Sequence, residues 1–111
     1  MYDDIANNHK NPYPGKIINK PNGSNVYPGV PKDYTGKDVT PRNFLAALKG
    51  DRRAVKKTNP KVITSGGNDT IFVYMSDHGG PGLFSFPNST LHAHDLIETI
   101  KEMARNYKFS K

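Results

Sequence analysis

The chain has 111 residues, room for one domain at most, and its 34% hydrophobic content with ten glycines and nine prolines predicts a loop-rich fold with a thin core. It contains no cysteine, which excludes a disulfide, a thiolate metal ligand and a thiol nucleophile from these residues, and no apolar run approaches the ~18 residues of a membrane span. A formal charge of +6 permits acidic partners, and the N-terminus shows no apolar signal segment, so the chain as written reads as soluble.

In chain order, residues 1–6 (MYDDIA) read as the tail of a strand with Asp3 and Asp4 at its exit, where adjacent acids are expected to be solvated. From Asn7 to Gly36 the chain is dense in Pro, Gly, Asn and Tyr, with one short extended piece at residues 16–19. A structureless loop of that length is rare in compact domains, so this segment is either functional or lacks its packing partners. Tyr13, Tyr27 and Tyr34 are expected to be packing groups.

Thr40 and Pro41 open a helix as N-cap and first helical residue. Phe44, Leu45, Ala47 and Leu48 supply its apolar stripe, Gly50 is placed to end it, and residues 52–57 offer a further turn. Most of the positive charge follows, in Lys49, Arg52, Arg53, Lys56, Lys57 and Lys61. With no aromatics interleaved this is a solvated basic face, and no nucleic-acid partner is predicted.

Residues 59–68 form a loop that leads into residues 71–75 (IFVYM), an apolar run with the composition of a strand buried on both faces. Ser76, Asp77 and His78 follow at once, and Gly79 and Gly80 permit a sharp turn. In open α/β sheets the carboxyl ends of strands carry the chemistry. A histidine there is either an acid/base poised near neutrality or a turn residue bonded to its own loop. Leu83, Phe84, Ser85 and Phe86 read as a short strand, Pro87, Asn88 and Ser89 as a turn, and Leu91 and His92 as the start of a return strand or of the approach to a helix. Over residues 94–107, Leu96, Ile97, Ile100, Met103, Ala104 and Tyr107 recur at helical spacing and predict a helix with one face on a sheet. His92 and His94 stand two apart without a third ligand, so neither metal nor cofactor is predicted.

Three Asn-x-Ser/Thr sequons, at Asn22, Asn68 and Asn88, are glycosylation candidates and favour a lumenal or secreted setting. The order strand, helix, strand, hairpin, helix lacks the strand that a crossover helix should deliver, so the sequence reads as cut at both ends.

Taken together, MYDDIA at 1–6, NPYPG at 11–15, PNGSNVYPGVPKDYTGKDVTPRNFLAALKGD at 21–51 and IFVYMSDHGGPGLFSFPN at 71–88 resemble the legumain (asparaginyl endopeptidase) family of cysteine proteases. The resemblance runs along essentially the whole chain. It implies part of a caspase-like α/β/α sandwich with a central, mostly parallel sheet, truncated at both ends, and an endopeptidase cleaving after Asn and more weakly after Asp in an endolysosomal or vacuolar lumen, or after secretion. It also implies that His78 is the catalytic histidine, that the Gly79 backbone N–H contributes to the oxyanion hole, and that Asp77 is an accessory residue. The family's cysteine sits at the end of the next core strand, after the helix at 94–107, and is not in this sequence. The chain by itself is therefore expected to be inactive, its partners being a peptide or protein substrate and the rest of its own peptidase domain. Two alternatives are a glycosylphosphatidylinositol transamidase-like subunit, against which Asp77 and the PKDYTGKDVTP run weigh, and a catalytically dead short paralogue that acts as a binding module.

Overall fold

Helix α1 spans Pro41–Lys49 in the computed structural model, which describes residues 1–2 and 4–111. The Thr40 side chain accepts the Asn43 N–H, and Pro41 needs no donor at the first helical position, so the local chemistry that predicts the helix also starts it. Gly50 ends it in a left-handed conformation (φ 78°). Its N–H bonds Ala47 O, and the Asp51 N–H bonds Ala46 O, the pair of bonds that closes a Schellman motif. The expected continuation over 52–57 does not form. The Asp51 carboxylate accepts the N–H groups of Arg53 and Ala54 and folds that stretch into a turn.

A three-stranded antiparallel sheet follows: β1 (Gly79–Gly80), β2 (Leu83–Phe86) and β3 (Ser89–His92), paired in that order. Pro81 and Gly82 connect β1 to β2, and Gly82 (φ 72°) supplies the positive φ that a Pro-Gly type II turn requires. Pro87 and Asn88 form the second tight turn, between the paired residues Phe86 and Ser89. Phe84 and Phe86 share one face of β2, with ring centroids 6.0 Å apart, and Leu91 sits opposite Phe84. Leu91 is the most deeply buried large side chain among the described residues, at 2% exposure.

Helix α2 (Ala93–Arg105) leaves β3 directly. It buries Thr99 and Met103, while Ile97 and Ile100 remain 49% and 44% exposed, so only part of the predicted apolar face is covered. It ends two residues before Tyr107, which adopts a left-handed conformation (φ 51°). The Tyr107 and Lys108 N–H groups bond Ala104 O and Met103 O, a second Schellman closure built on a tyrosine rather than a glycine. A small core of Tyr34, Val39, Ala46 and Val55 gathers around α1, with Phe86 of β2 packed against it, and Phe86 also meets Phe44 at 6.0 Å.

Three expectations are corrected here. The first segment is not the end of a strand beyond Asp4: residues Ile5–Asn7 form a short 3₁₀ helix, because Asp4 turns left-handed (φ 61°) and its carbonyl accepts the Asn7 N–H. The expectation for Asp3 lies outside the described residues. The 71–75 run neither forms a strand nor is buried on both faces, since Phe72 and Tyr74 are 86% and 79% exposed. Among the described residues its only backbone bond to another segment is from Ile71 N–H to Lys111 O, with Ser110 N–H bonding Asp69 O just before it. Those two bonds run with chain numbers rising together, but they stop short of a parallel ladder. The sheet that is formed is antiparallel rather than mostly parallel, because both of its connections are two-residue turns, which join only antiparallel strands.

Candidate functional site

The histidine turn is positioned by the hairpin. Ser85 N–H donates to His78 O at 2.8 Å, which places the 78/85 pair among the hydrogen-bonded rungs of the β1–β2 ladder. Rungs alternate in an antiparallel pair, so Gly79, opposite Phe84, occupies a non-hydrogen-bonded rung. The Gly79 N–H therefore points away from β2. A Cβ at Gly79 would stand 3.3 Å from Leu83 O, a tight approach that a shift of a few tenths of an ångström would relieve.

His78 itself is exposed, with no side-chain hydrogen bond among the described residues. Its backbone N–H is held by the Asp77 carboxylate, with Oδ1 at 2.6 Å. The Asp77 carboxylate thus bonds the backbone of the adjacent residue rather than the imidazole. Beside it opens a depression of about 400 Å³, lined in part by Met1, Tyr74, Asp77 and Phe84. Asp77, His78 and Gly79 follow one another directly, Asp77 in a bend and Gly79 opening β1.

The remaining predicted positions lie elsewhere. Asn22, Asn68 and Asn88 are all exposed, Asn22 in a left-handed turn (φ 57°) and Asn88 at the β2–β3 turn. His92 stands at the N-cap of α2 without a capping bond from its side chain, and His94 lies in the first turn. Among the described residues no group of three or more His, Asp or Glu gathers as a metal site would require, and no helix is long and apolar enough to cross a membrane.

One constellation escapes a reading of the sequence. The Tyr27 hydroxyl donates to Asp4 Oδ1 (2.6 Å) and accepts from Lys32 Nζ (2.7 Å) and Asn7 Nδ2 (3.0 Å), and Asn7 also donates to Asp4 Oδ2. Lys32 lies over the Tyr27 ring, 4.0 Å from its centroid. The hydrogen bonds from Tyr27 and then Asn7 hold the Asp4 carboxyl below the usual Asp value, and the bond to Tyr27 raises the Lys32 ammonium above its own. The left-handed Asp4 is the one local signal for this cluster, and it is a conformation that a sequence pattern does not announce.

A sequence model of the Peptidase C13 family matches residues 1–111. Legumain of Rattus norvegicus is 58% identical over 112 aligned positions, covering the whole of this chain and 26% of the relative, and legumain of Homo sapiens is 55% identical over the same extent. The vacuolar-processing enzyme beta-isozyme of Arabidopsis thaliana is 58% identical over 103 positions, 92% of this chain and 21% of the relative. The chain thus spans about a quarter of the length of the relatives it matches.

Proposed function

The chain belongs to the Peptidase C13 family, and from that premise we propose that it is the histidine-bearing part of a legumain-type cysteine endopeptidase that cleaves after Asn, and more weakly after Asp. The observation that carries the reading is the stretch at residues 77–79: a family match across the whole chain coincides with an exposed histidine followed by a glycine whose N–H points away from β2.

In this mechanism a cysteine from outside these residues gives its thiol proton to His78 and attacks the scissile carbonyl. His78 returns the proton to the departing amine as the acyl-enzyme forms, and water then releases the acid. The Gly79 N–H donates to the oxygen that becomes negative in the tetrahedral intermediate. Asp77, by clamping the His78 N–H, keeps both groups in register and is a positioning residue. The exposed sequons and the names of the plant relatives support action in a vacuolar or endolysosomal lumen.

The test is hydrolysis of a fluorogenic Asn-containing peptide by the protein that carries this chain together with a nucleophile. His78→Ala is expected to lower kcat/KM by at least about a hundredfold, the range of general acid–base catalysis, while the circular dichroism spectrum stays unchanged. Undiminished hydrolysis by that variant removes His78 from the mechanism. No hydrolysis by the unmutated protein favours a binding module in its place.

A further inference from the structure

The turn between β2 and β3 stands at the histidine end of the hairpin. Gly79 pairs with Phe84 and the Ser85 N–H bonds His78 O, so β2 runs from the turn at Pro81 and Gly82 to the level of His78 and then reverses at Pro87 and Asn88. Pro87 lines the depression beside Asp77, and Asn88 is the next residue. At ~4.8 Å between strands and ~3.4 Å per residue, the Asn88 Cα lies on the order of 10 Å from that of His78. This placement depends only on the ladder over residues 78–89, within one hairpin.

Asn88, Ser89 and Thr90 form an N-glycosylation sequon in which all three residues are exposed. The Asn88 side-chain amide has no hydrogen-bond partner among the described residues, whereas those of Asn7, Asn11 and Asn43 are tied to Asp4 and Tyr27, to Ala6 and Lys16, and to Asp38. The other two sequons are set apart: neither Asn22 nor Asn68 lines the depression beside Asp77, and Asn68 precedes the 71–75 run, at the end away from His78. A glycan on Asn88 brings a bulky, hydrated group to the edge of that depression. A short extended peptide can pass beside it, and a folded protein meets it first.

We propose that Asn88 carries an N-linked glycan that selects substrates at the histidine site by size, admitting short extended peptides and slowing folded proteins; the selection rests on the peptidase role of His78. In its attachment Asn88 Nδ2 displaces the diphosphate from the anomeric carbon of a lipid-diphosphate oligosaccharide. The C–N bond forms, the C–O bond breaks, the lipid diphosphate leaves with the bonding pair, and one amide proton passes to solvent.

The experiment uses the protein that carries this chain together with a nucleophile, secreted from a eukaryotic host that glycosylates sequons. Mass spectrometry of the peptide containing Asn88, before and after peptide-N-glycosidase, reads occupancy, and an occupied Asn88 is expected. Hydrolysis is then followed on a short fluorogenic Asn peptide and on a folded protein with an Asn in an exposed loop. Asn88→Gln and Thr90→Val each delete the sequon, the second with Asn88 kept, and neither position holds a positive φ that the new residue would strain. Both variants should raise kcat/KM on the folded protein by about threefold or more and leave it on the short peptide within about twofold. An unglycosylated Asn88 overturns the proposal. So does an occupied Asn88 with unchanged selectivity, or an equal gain from Asn22→Gln or Asn68→Gln, which is a general effect of removing glycans. No hydrolysis of the short peptide by the unmutated protein is a failure of the peptidase reading, and it takes the selection with it while occupancy is still read.

Discussion

Leu91→Ala tests whether the hairpin, and not the 71–75 run, anchors the histidine turn. Leu91 is 2% exposed and lies opposite Phe84 in β3, the strand that contacts both helices. Truncation to Ala removes three buried carbons, about 2.4 kcal/mol at ~0.8 kcal/mol each, and a cavity that refills poorly raises the cost toward the ~5 kcal/mol end of measured Leu→Ala losses. About 3 kcal/mol is the expected loss in urea denaturation, a large fraction of a typical domain's stability. The neighbouring Thr90→Ala, exposed on the other face of the same strand, should cost under about 0.5 kcal/mol. Because Ser85 holds His78 O, the same loss should appear as faster amide exchange at Ser85 before global unfolding. A Leu91→Ala variant within about 0.5 kcal/mol of Thr90→Ala would refute the packing argument.

Four further outcomes follow from single contacts. Thr40→Ala removes the cap on the Asn43 N–H and should cost about 1 kcal/mol by urea denaturation, with Thr40→Ser recovering most of it. Asn43→Ala should cost more, about 2 kcal/mol, because this 3%-exposed side chain accepts the Lys56 N–H and donates to Asp38 O, so its loss removes two part-buried hydrogen bonds and leaves a small cavity. Tyr107→Gly should stabilise by up to about 1 kcal/mol, since the ring is 80% exposed while its backbone holds a left-handed conformation that suits glycine; a lower urea midpoint refutes this. The folded Asp4 carboxyl titrates below the unfolded value of 3.8, so its contribution is present above that pH and is lost only as pH falls through the lower folded value. Tyr27→Phe, which removes the largest cause of that depression, should move the Asp4 carboxyl titration, followed by NMR, upward toward 3.8.

Elements whose causes are local were legible in the sequence. The cap at Thr40, the proline at the first helical position and the glycine at 50 act within a few residues, so α1 ends where its sequence says. The run Leu83, Phe84, Ser85 and Phe86 likewise writes β2 directly, whereas for Leu91 and His92 the sequence leaves a return strand and the approach to a helix open, and β3 includes Ser89, which reads as part of the turn. What could not be read depends on contacts distant in the chain or on backbone conformations that side-chain patterns do not encode. The Tyr27 hydroxyl finds Asp4 across 23 positions, and neither residue carries a mark of the pairing. Left-handed Asp4 and Tyr107 break an extended run and a helix at places where composition favours continuation.

The 71–75 run joins these two cases. Its composition is that of a strand covered on both faces, yet Phe72 and Tyr74 lie open, and its edge meets another segment only where Ile71 and Asp69 bond Lys111 and Ser110. A strand is a relation between segments, so composition states a demand for neighbours without supplying them. The histidine turn escapes that dependence. Its hydrogen-bonded ladder runs forward from His78 into β2, and its clamp comes from Asp77, the adjacent residue. The site geometry is consequently local to about ten residues, 77–86, whereas the depression beside it draws on Met1, Phe44 and Tyr74 from three other parts of the chain. In the protein that carries this chain together with a nucleophile, presentation of His78 should then tolerate changes in the 71–75 run, such as Tyr74→Ser, that would alter the depression beside Asp77. In steady-state kinetics the physical signature is a raised KM with kcat retained, and a fall in kcat at constant KM would place the support of the histidine in the run after all.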